Sequence, residues 1–326
     1  MRVLAVWSSN SGSSGEMPAY SALQGVIPIV PTPFRIDESI DFEALAACVR
    51  FAIACQLPAI CLPAYASEFY KLNEAERNQV VETAITTAGG KIGVVAQCNH
   101  PSARYAADLA QRYESMGAGV VSFALPRQFH LKEQDLLDYA RCVCRSTHLP
   151  VLVQDFHPGG DGVGAGFAER LHQACPNFRY LKLELPLMGP KVRSIIRATG
   201  GGVGVLGGWG GMYLMELIRD GISGVMPGLG AADVLQSVWN QAYAGCYEVA
   251  MDAFQSVLPQ LVYSLQNLEL WLFAEKKLLA ARGIIPEASS FVRSGSRAPE
   301  PSEVRHMLWL NERLIRQARR MGLTHP

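Results

Sequence analysis

Residues 151–185 read VLVQDFHPGGDGVGAGFAERLHQACPNFRYLKLEL, with a short apolar run at each end and an amphipathic stretch between them. The two runs, VLVQDF (151–156) and YLKLEL (180–185), have the length and composition of buried strands. Residues 167–174 place apolar side chains at helical spacing. This order predicts two parallel strands that are joined by a crossover helix.

The same alternation occurs eight times between residues 25 and 244. The other predicted strands are 25–30, 59–64, 92–97, 119–124, 202–207 and 221–226. The other predicted helices are 41–55, 74–89, 102–116, 132–147, 189–199, 211–220 and 231–244. Strands that are apolar on both faces are typical of parallel sheets, and eight units predict a (β/α)8 TIM barrel over residues 24–245. A doubly wound sheet is the alternative, but no GxGxxG motif follows the first strand.

Single residues mark several helix ends. Asp41, Asn73 and Ser102 can accept a hydrogen bond from the first turn of the helix that follows each of them. The Gly89–Gly90 pair and Gly117 have the conformational freedom that a helix C-terminus requires.

Both ends of the chain depart from the alternation. Residues 1–23 are rich in serine and glycine, and we expect them to form a flexible extension. Residues 246–326 have helical periodicity without an intervening strand pattern, so they predict a C-terminal helical region that packs on the barrel.

The composition excludes several classes of partner. The chain has 29 basic and 29 acidic residues, so nothing indicates a nucleic acid or a membrane surface as the partner. No apolar run approaches the 18 residues of a transmembrane helix. The eight cysteines are scattered without a metal-ligand spacing, which predicts buried free thiols in a reducing cytoplasm.

The catalytic residues of a barrel enzyme lie at the C-terminal ends of its strands. Polar residues follow five of the predicted strands, namely Tyr65, Ser67, Glu68, Gln97, Asn99, His100, Arg127, Gln128, Gln154, Asp155, His157, Lys182 and Glu184. Lys182 and Glu184 are two positions apart, so they point to the same face of their strand.

Lys182 stands in an apolar run, where an ammonium group is costly to bury. Desolvation lowers the pKa of such a lysine and favours its neutral, nucleophilic amine, which can form a Schiff base with a ketone. The alternative is a structural ion pair between Lys182 and Glu184. The chemistry of these two residues leaves both interpretations open.

Five motifs, in order, carry a likeness to a known family. They are PTPF (31–34), SEFYKLNEAER (67–77), LPVLVQDF (149–156), YLKLE (180–184) and GISGVMPG (221–228). Over about residues 24–285, the chain resembles the dihydrodipicolinate synthase and N-acetylneuraminate lyase family of Schiff-base lyases. The resemblance implies that Lys182 forms an imine with pyruvate or another 2-oxo acid.

The resemblance also implies a substrate site around that lysine. Tyr65 and Ala66 occupy the positions of the paired hydroxyl residues that hold the 2-oxo-acid carboxylate, and backbone N–H groups around Ala66 and Ser67 can replace those hydroxyls. Gly208 and Met226 match positions that line the pocket.

Three departures from the family pattern affect the expected reaction. Gln154-Asp155 stands where the family has a tyrosine and an asparagine, and Arg127-Gln128 stands where it has an aromatic pair. No arginine is found at 159–161, where the synthases bind a second carboxylate. Because glutamine cannot transfer a proton, that role falls to Glu184, Tyr65, Asp155 or His157, in this order of preference.

We therefore predict a Schiff-base aldolase or dehydratase that acts on a 2-oxo acid, including sugar-acid derivatives. It would use no metal or organic cofactor and would work in the cytoplasm as a homo-oligomer, a tetramer or a dimer. Two alternatives are dihydrodipicolinate synthase itself and a non-catalytic relative that binds a small acid.

Overall fold

A computed structural model of the chain describes residues 23–127, 130–157, 159–294 and 299–323. Eight parallel strands form one sheet in these ranges. They are β1 (Gly25–Val26), β2 (Ala59–Leu62), β3 (Gly93–Gln97), β4 (Val120–Ala124), β5 (Val151–Asp155), β6 (Phe178–Leu183), β7 (Gly204–Gly207) and β8 (Gly224–Val225). The predicted extension 1–23 lies, except for its last residue, outside the described residues.

The sheet closes into a barrel. Its strand order is β1-β8-β7-β6-β5-β4-β3-β2, so β1 and β2 are the two edges. Ile29, just after β1, closes the barrel because it forms a parallel bridge with Cys61 of β2. On its other side Ile29 forms a parallel bridge with Gly228, which follows β8. The regular part of β1 is shorter than the predicted strand 25–30, since Pro28 has no N–H group for the ladder. The predicted (β/α)8 barrel is confirmed.

Eleven α-helices lie in the described part of the chain. Eight of them accompany the strands: α1 (Phe42–Ala54), α2 (Glu74–Ala88), α3 (Ala103–Met116), α4 (Glu133–Cys144), α5 (Ala165–Ala174), α6 (Gly189–Ala198), α7 (Leu214–Leu217) and α8 (Ala232–Tyr243). Three more follow the last unit: α9 (Tyr247–Ser264), α10 (Leu268–Ala281) and α11 (Pro301–Arg320).

The predicted helix caps form as expected. The side chains of Asp41, Asn73 and Ser102 accept hydrogen bonds from the backbone of the first turn. Gly89 and Gly117 end α2 and α3 in the left-handed region, with φ of 50° and 100°. A glycine adopts these angles without the steric penalty that a Cβ atom would impose.

The seventh helix differs from its prediction. Residues 211–220 contain one α-helical turn, α7, and a 3₁₀ turn at Ile218–Asp220. Gly210 and Gly211 precede them with φ of 60° and 78°, so the backbone cannot enter a helix before residue 212.

The core has two layers, because strand side chains alternate between the faces of the sheet. A small apolar cluster fills the barrel and includes Ile27, Val95, Leu152 and Leu206. A much larger cluster lies between the barrel and the helices. Hence inward-pointing polar side chains near the strand ends lie above an apolar plug.

All eight cysteines are free thiols. Five are buried and Cys55 is partly buried, but Cys142 and Cys246 are exposed, which corrects the expectation of uniformly buried thiols. Both exposed cysteines lie on the outer helical layer, Cys142 within α4 and Cys246 just before α9.

A buried ion pair attaches α10 to α8. The guanidinium of Arg282, just after α10, donates to both carboxylate oxygens of Asp233 at 2.8 and 2.5 Å, and it also donates to the Gly230 carbonyl at 2.7 Å. Both side chains are almost fully excluded from solvent. The two-pronged geometry compensates for the desolvation of the charges.

We predict that Asp233→Ala destabilises the protein by about 3–5 kcal/mol, because it leaves the Arg282 cation buried without its partner. Urea unfolding followed by circular dichroism measures this change. The matched control is Glu43→Ala, which breaks the exposed Arg50–Glu43 pair and should change stability by about 1 kcal/mol or less. Equal midpoint shifts for the two variants would contradict the prediction.

Candidate active site

Four neighbouring strands bring polar side chains together inside the barrel. Gln97, Ser122, Gln154 and Lys182 occupy inward positions on β3, β4, β5 and β6, and each is buried. Gln154 and Lys182 are direct neighbours in the β5–β6 register. The side-chain alternation of each strand therefore places these groups in one layer above the apolar plug.

The centre of this layer is an ion pair. Lys182 Nζ lies 3.1 Å from Glu184 Oε1, and the two residues are 6% and 9% exposed. Strand β6 ends at Leu183, so Glu184 belongs to the loop just after it, although the prediction put it in the strand. The Glu184 carboxylate still contacts the amine of Lys182, although its residue lies beyond the end of the strand.

Two further donors point at the same carboxylate. Gln154 Nε2 donates to Glu184 Oε1 at 2.5 Å, and the Trp209 backbone N–H donates to Oε2 at 3.4 Å. Gln97 Nε2 donates in turn to Gln154 Oε1 at 2.7 Å. Because the oxygen of the Gln154 amide accepts this hydrogen bond from Gln97, it is the nitrogen of that amide that faces Glu184.

A glycine makes room for this arrangement. A Cβ atom on Gly208 would lie 2.6 Å from Cγ and Cδ of Glu184, a distance that real contacts do not reach. Gly208 therefore supports the site by leaving space for Glu184 rather than by lining the cavity itself.

A cavity of about 190 Å³ opens above Lys182 and Glu184. Its walls are mainly apolar, and four of the lining side chains are aromatic: Tyr65, Phe156, Trp209 and Trp271. Among the predicted site residues, Tyr65, Ala66, Gln154, Lys182, Glu184 and Met226 line it. A mainly apolar cavity with a few convergent polar groups is the usual form of a small-molecule site.

Tyr65 begins a 3₁₀ turn, Tyr65–Ser67, that follows β2. Its ring packs against Phe69 and Phe156 at centroid distances of 5.0 and 5.1 Å. Burial, and to a smaller extent the charge of Glu184, raises the pKa of the Tyr65 hydroxyl, so this group keeps its proton at neutral pH. The N–H groups of Tyr65 and Ala66 have no acceptor among the described residues.

The structure places Ser67 outside the lining of the cavity. Its hydroxyl donates to the Val30 carbonyl at 2.6 Å, and its N–H donates to the Ala64 carbonyl at 2.9 Å. It is fully buried and does not line the cavity. Its role in the structure is to attach the Tyr65 turn to the segment after β1.

Asp155 and His157 were the remaining candidates for proton transfer. Asp155 points away from the cavity and accepts hydrogen bonds from Arg127 Nη2 at 2.7 Å and from the Val163 N–H at 2.5 Å. His157 is partly buried and does not line the cavity either. Of the four candidates, Glu184 and Tyr65 are therefore the two that line the cavity together with Lys182. Arg127 pairs with this buried aspartate.

Sequence reasoning missed the outer wall of the cavity. Residues 265–267, which connect α9 and α10, line it together with Leu268 and Trp271 of α10. These residues come more than 35 positions after the last strand, so no rule about strand ends identifies them. Trp209 was also missed, although it comes two residues after the end of β7 in the sequence GGWGG and adopts a φ of 47°, which is unusual for a residue with a side chain.

A second buried ion pair holds the Tyr65 turn against α10. Lys276 is fully buried, and its Nζ donates to Glu68 Oε1 at 2.5 Å and to the Phe291 carbonyl at 2.7 Å. Burial lowers the pKa of Lys276 to about 8, although the charge of Glu68 opposes this shift. Glu68 ends the turn with a φ of 60°. The pair thus fixes the wall that Tyr65 and Ala66 form.

The preceding residue, Glu275, is a buried acid beside the loop at Gly228–Gly230. Its Oε1 accepts a hydrogen bond from the Gly230 N–H at 2.6 Å, and a Cβ atom on Gly228 would lie 2.5 Å from its Oε2. Burial raises the pKa of Glu275 to about 7, and hydrogen bonds from the Gly230 and Leu229 backbone oppose the shift. Glu275 supports the loop that continues from Met226 and Pro227 in the cavity wall.

The described residues show neither a metal cluster nor a membrane span. They contain no group of three or more histidine, cysteine, aspartate or glutamate side chains that could hold a metal ion. No helix among them has the length and apolarity needed to cross a bilayer.

Comparison with known proteins identifies relatives of the whole barrel. The Dihydrodipicolinate synthetase family profile matches residues 22–270. L-2-keto-3-deoxyarabonate dehydratase of Azospirillum brasilense is 26% identical over 268 residues, which are 80% of this chain and 85% of that enzyme. N-acetylneuraminate lyase of Citrobacter koseri is 30% identical over 142 residues, 43% of this chain and 48% of the lyase.

Solved structures share the fold. A prophage protein of the dihydrodipicolinic acid synthase family from Escherichia coli K12, crystallised with pyruvate, superposes with a TM-score of 0.81 at 21% identity. The superposition covers 90% of this chain and 99% of that protein. At this identity the likeness shows the architecture of the chain and not its reaction.

The buried acid Glu275 generates a prediction about stability and pH. Its folded pKa of about 7 lies above the ordinary value of 4.5, so the folded state binds the proton more tightly than the unfolded state. The stability linked to this proton is present below pH 4.5 and is lost as the pH rises through 7. We expect Glu275→Gln, which mimics the protonated acid, to match the natural protein near pH 4.5 and to be more stable by about 3 kcal/mol at pH 8.

Chemical denaturation of both proteins across pH 4.5–8.5 measures this difference. Glu287→Gln is the control, because Glu287 is exposed and should leave the pH profile unchanged. Parallel stability profiles for the natural protein and Glu275→Gln would contradict the prediction.

Proposed function

Because the chain belongs to the Dihydrodipicolinate synthetase family, we propose that it is a lyase that forms a Schiff base between Lys182 and pyruvate or another 2-oxo acid. One observation carries the proposal: the Lys182 amine lies at the base of an apolar cavity, 3.1 Å from the carboxylate of Glu184. The family profile matches residues 22–270, a range that includes Lys182, and this match supports the proposal.

The geometry supports imine formation in simple steps. The amine has to lose a proton before it attacks the ketone carbon, and Glu184 is within reach to accept that proton. The new C–N bond replaces the C–O bond, and the ketone oxygen leaves as water after it has gained two protons. The resulting iminium withdraws electrons from the neighbouring carbon, which promotes loss of a proton, water or a carbon fragment.

Glu184 and Tyr65 divide the proton transfers in this proposal. Gln154 occupies the position of the family tyrosine but can only donate or accept a hydrogen bond. Glu184, which Gln154 orients, serves as the base. Tyr65 keeps its proton at neutral pH, so it serves as a hydrogen-bond donor or an acid.

The carboxylate of the substrate would bind at the Tyr65 turn. The N–H groups of Tyr65 and Ala66 have no acceptor in the described structure, and both residues line the cavity. Backbone donors of this kind can hold an anion without hydroxyl side chains. Met226 would pack against the bound substrate, and Gly208 would leave room for Glu184.

The reaction is an aldol cleavage or a dehydration of a keto sugar acid in this proposal. The relative that matches over 80% of the chain is a dehydratase with a keto-deoxy sugar acid in its name. Dihydrodipicolinate synthase activity is not favoured, since residues 159–161 contain no arginine for a second carboxylate. A non-catalytic role is not favoured either, because the ion pair and its cavity are intact.

We also propose that the protein works in the cytoplasm as a homo-oligomer, a tetramer or a dimer. Two of the C-terminal helices expose large apolar side chains that a subunit contact could cover, namely Val249 and Val262 on α9 and Leu308 and Trp309 on α11. No metal or organic cofactor enters the proposed reaction.

Reduction with borohydride tests the Schiff base. We expect incubation with pyruvate followed by borohydride to add the reduced pyruvate unit to the peptide that contains Lys182. Lys182→Met should lose the adduct, whereas Lys191→Met, which removes an exposed hydrogen bond from α6 to the Asp161 carbonyl, should retain it. An adduct that persists in Lys182→Met would contradict the proposal, as would the absence of an adduct with every 2-oxo acid.

Exchange of the pyruvate methyl protons with deuterium tests the base. The exchange requires the iminium to lose a proton, so Glu184→Gln should exchange about 100-fold or more slowly, while its adduct, formed more slowly, still accumulates on long incubation. Proton NMR measures the rate. If Tyr65→Phe stops the exchange while Glu184→Gln does not, the two roles must be reversed.

A further inference from the structure

Only one basic side chain, that of Lys182, lines the cavity among the described residues, and the proposed reaction converts its amine into an imine. Among the described lining residues, Lys182 is the only basic side chain and Glu184 the only acidic one. This inference rests on the proposed function, in which the Lys182 nitrogen becomes part of the imine. The substrate carboxylate would then be held by backbone N–H groups, and no lining cation is left for a second anion.

Other cations close to the site are already paired. Arg127 follows β4 and forms a 2.7 Å contact with the fully buried Asp155. Lys276 lies behind the Tyr65 turn and is held by Glu68 at 2.5 Å. To use either cation, a substrate would have to leave a buried carboxylate without its partner, which is energetically expensive.

The outer part of the cavity is uncharged among the described residues. Trp209, Trp271, Leu265 and Leu268 are its large apolar residues, and Gln266 and Asn267 also line it. A carboxylate placed among such side chains loses hydration without gaining an opposite charge, and it is also repelled by Glu184. Uncharged carbon chains, with or without hydroxyl groups, avoid both penalties.

The charges that line the cavity define the substrate class. We infer that the site is selective for 2-oxo acids with one carboxylate and an uncharged remainder, and that it discriminates against 2-oxo diacids.

A pair of ligands isolates the effect of charge. 2-Oxoglutarate and its 5-methyl ester have the same carbon backbone, but only the first carries a second carboxylate, and the ester is the larger molecule. With borohydride trapping at equal, subsaturating concentrations, we expect the ester to label Lys182 at least about ten times faster than the diacid. Pyruvate is the reference ligand.

A variant with an added cation in the cavity wall provides a second test of the inferred selectivity. Gln266 is exposed and lines the cavity, so Gln266→Arg should raise the labelling rate with 2-oxoglutarate and reduce the ratio to about threefold or less. Gln255→Arg is the matched control, because it adds the same charge to an exposed site on α9 outside the cavity. It should leave the ratio unchanged.

The outcomes separate the two proposals. If pyruvate labels Lys182 but the diacid and the ester react equally fast, the inferred selectivity is wrong and the proposed function stands. If Gln255→Arg changes the ratio as much as Gln266→Arg does, the cavity is not the origin of the selectivity, and the inference fails. If no 2-oxo acid labels Lys182, the proposed function and this inference fail together.

Discussion

The ion pair between Lys182 and Glu184 is the constraint around which the end of the barrel is organised. Two opposite charges with little access to water are stable only if their remaining hydrogen-bonding capacity is also satisfied. The Gln154 amide and the Trp209 backbone N–H supply these contacts, and the missing side chain of Gly208 supplies the space. Gln154 on β5, Lys182 on β6 and the Gly208–Trp209 segment just after β7 therefore depend on one another, because all of them lie against the side chain of Glu184.

The amide at position 154 changes the chemistry of the site rather than its shape. An amide fixes the carboxylate by a hydrogen bond but cannot exchange a proton with it, so Glu184 and Tyr65 remain as titratable groups next to the amine. The Tyr65 turn is itself fixed by the buried Lys276–Glu68 pair, which involves α10. The C-terminal helices therefore hold one wall of the site and form another, through Trp271 and the α9–α10 connection.

Charges close to the cavity are matched almost one to one. Arg127 is paired with Asp155, and Lys276 is paired with Glu68. Glu275 has no such partner within the described residues, and burial accordingly raises its pKa to about 7. This distribution leaves the outer cavity without net charge, which is consistent with a ligand that carries its charge only at the carboxylate next to the reacting ketone. Ionisation of the buried Glu275 carboxyl therefore lowers the stability of the folded protein as the pH rises through about 7.

The sequence by itself determined the barrel and the lysine. The eight-fold alternation and the helix caps depend on local periodicity, and Lys182 stands out because a charge in an apolar strand needs a reason. The partners of Glu184, the exclusion of Ser67 and Asp155, and the aromatic outer wall were decided only by the tertiary structure. Trp271 and Lys182 are 89 positions apart, and no local pattern relates them. The two residues line the same cavity because α10 packs across the end of the barrel. Contacts between residues far apart in the sequence, such as Arg282–Asp233 and Lys276–Glu68, hold α10 there.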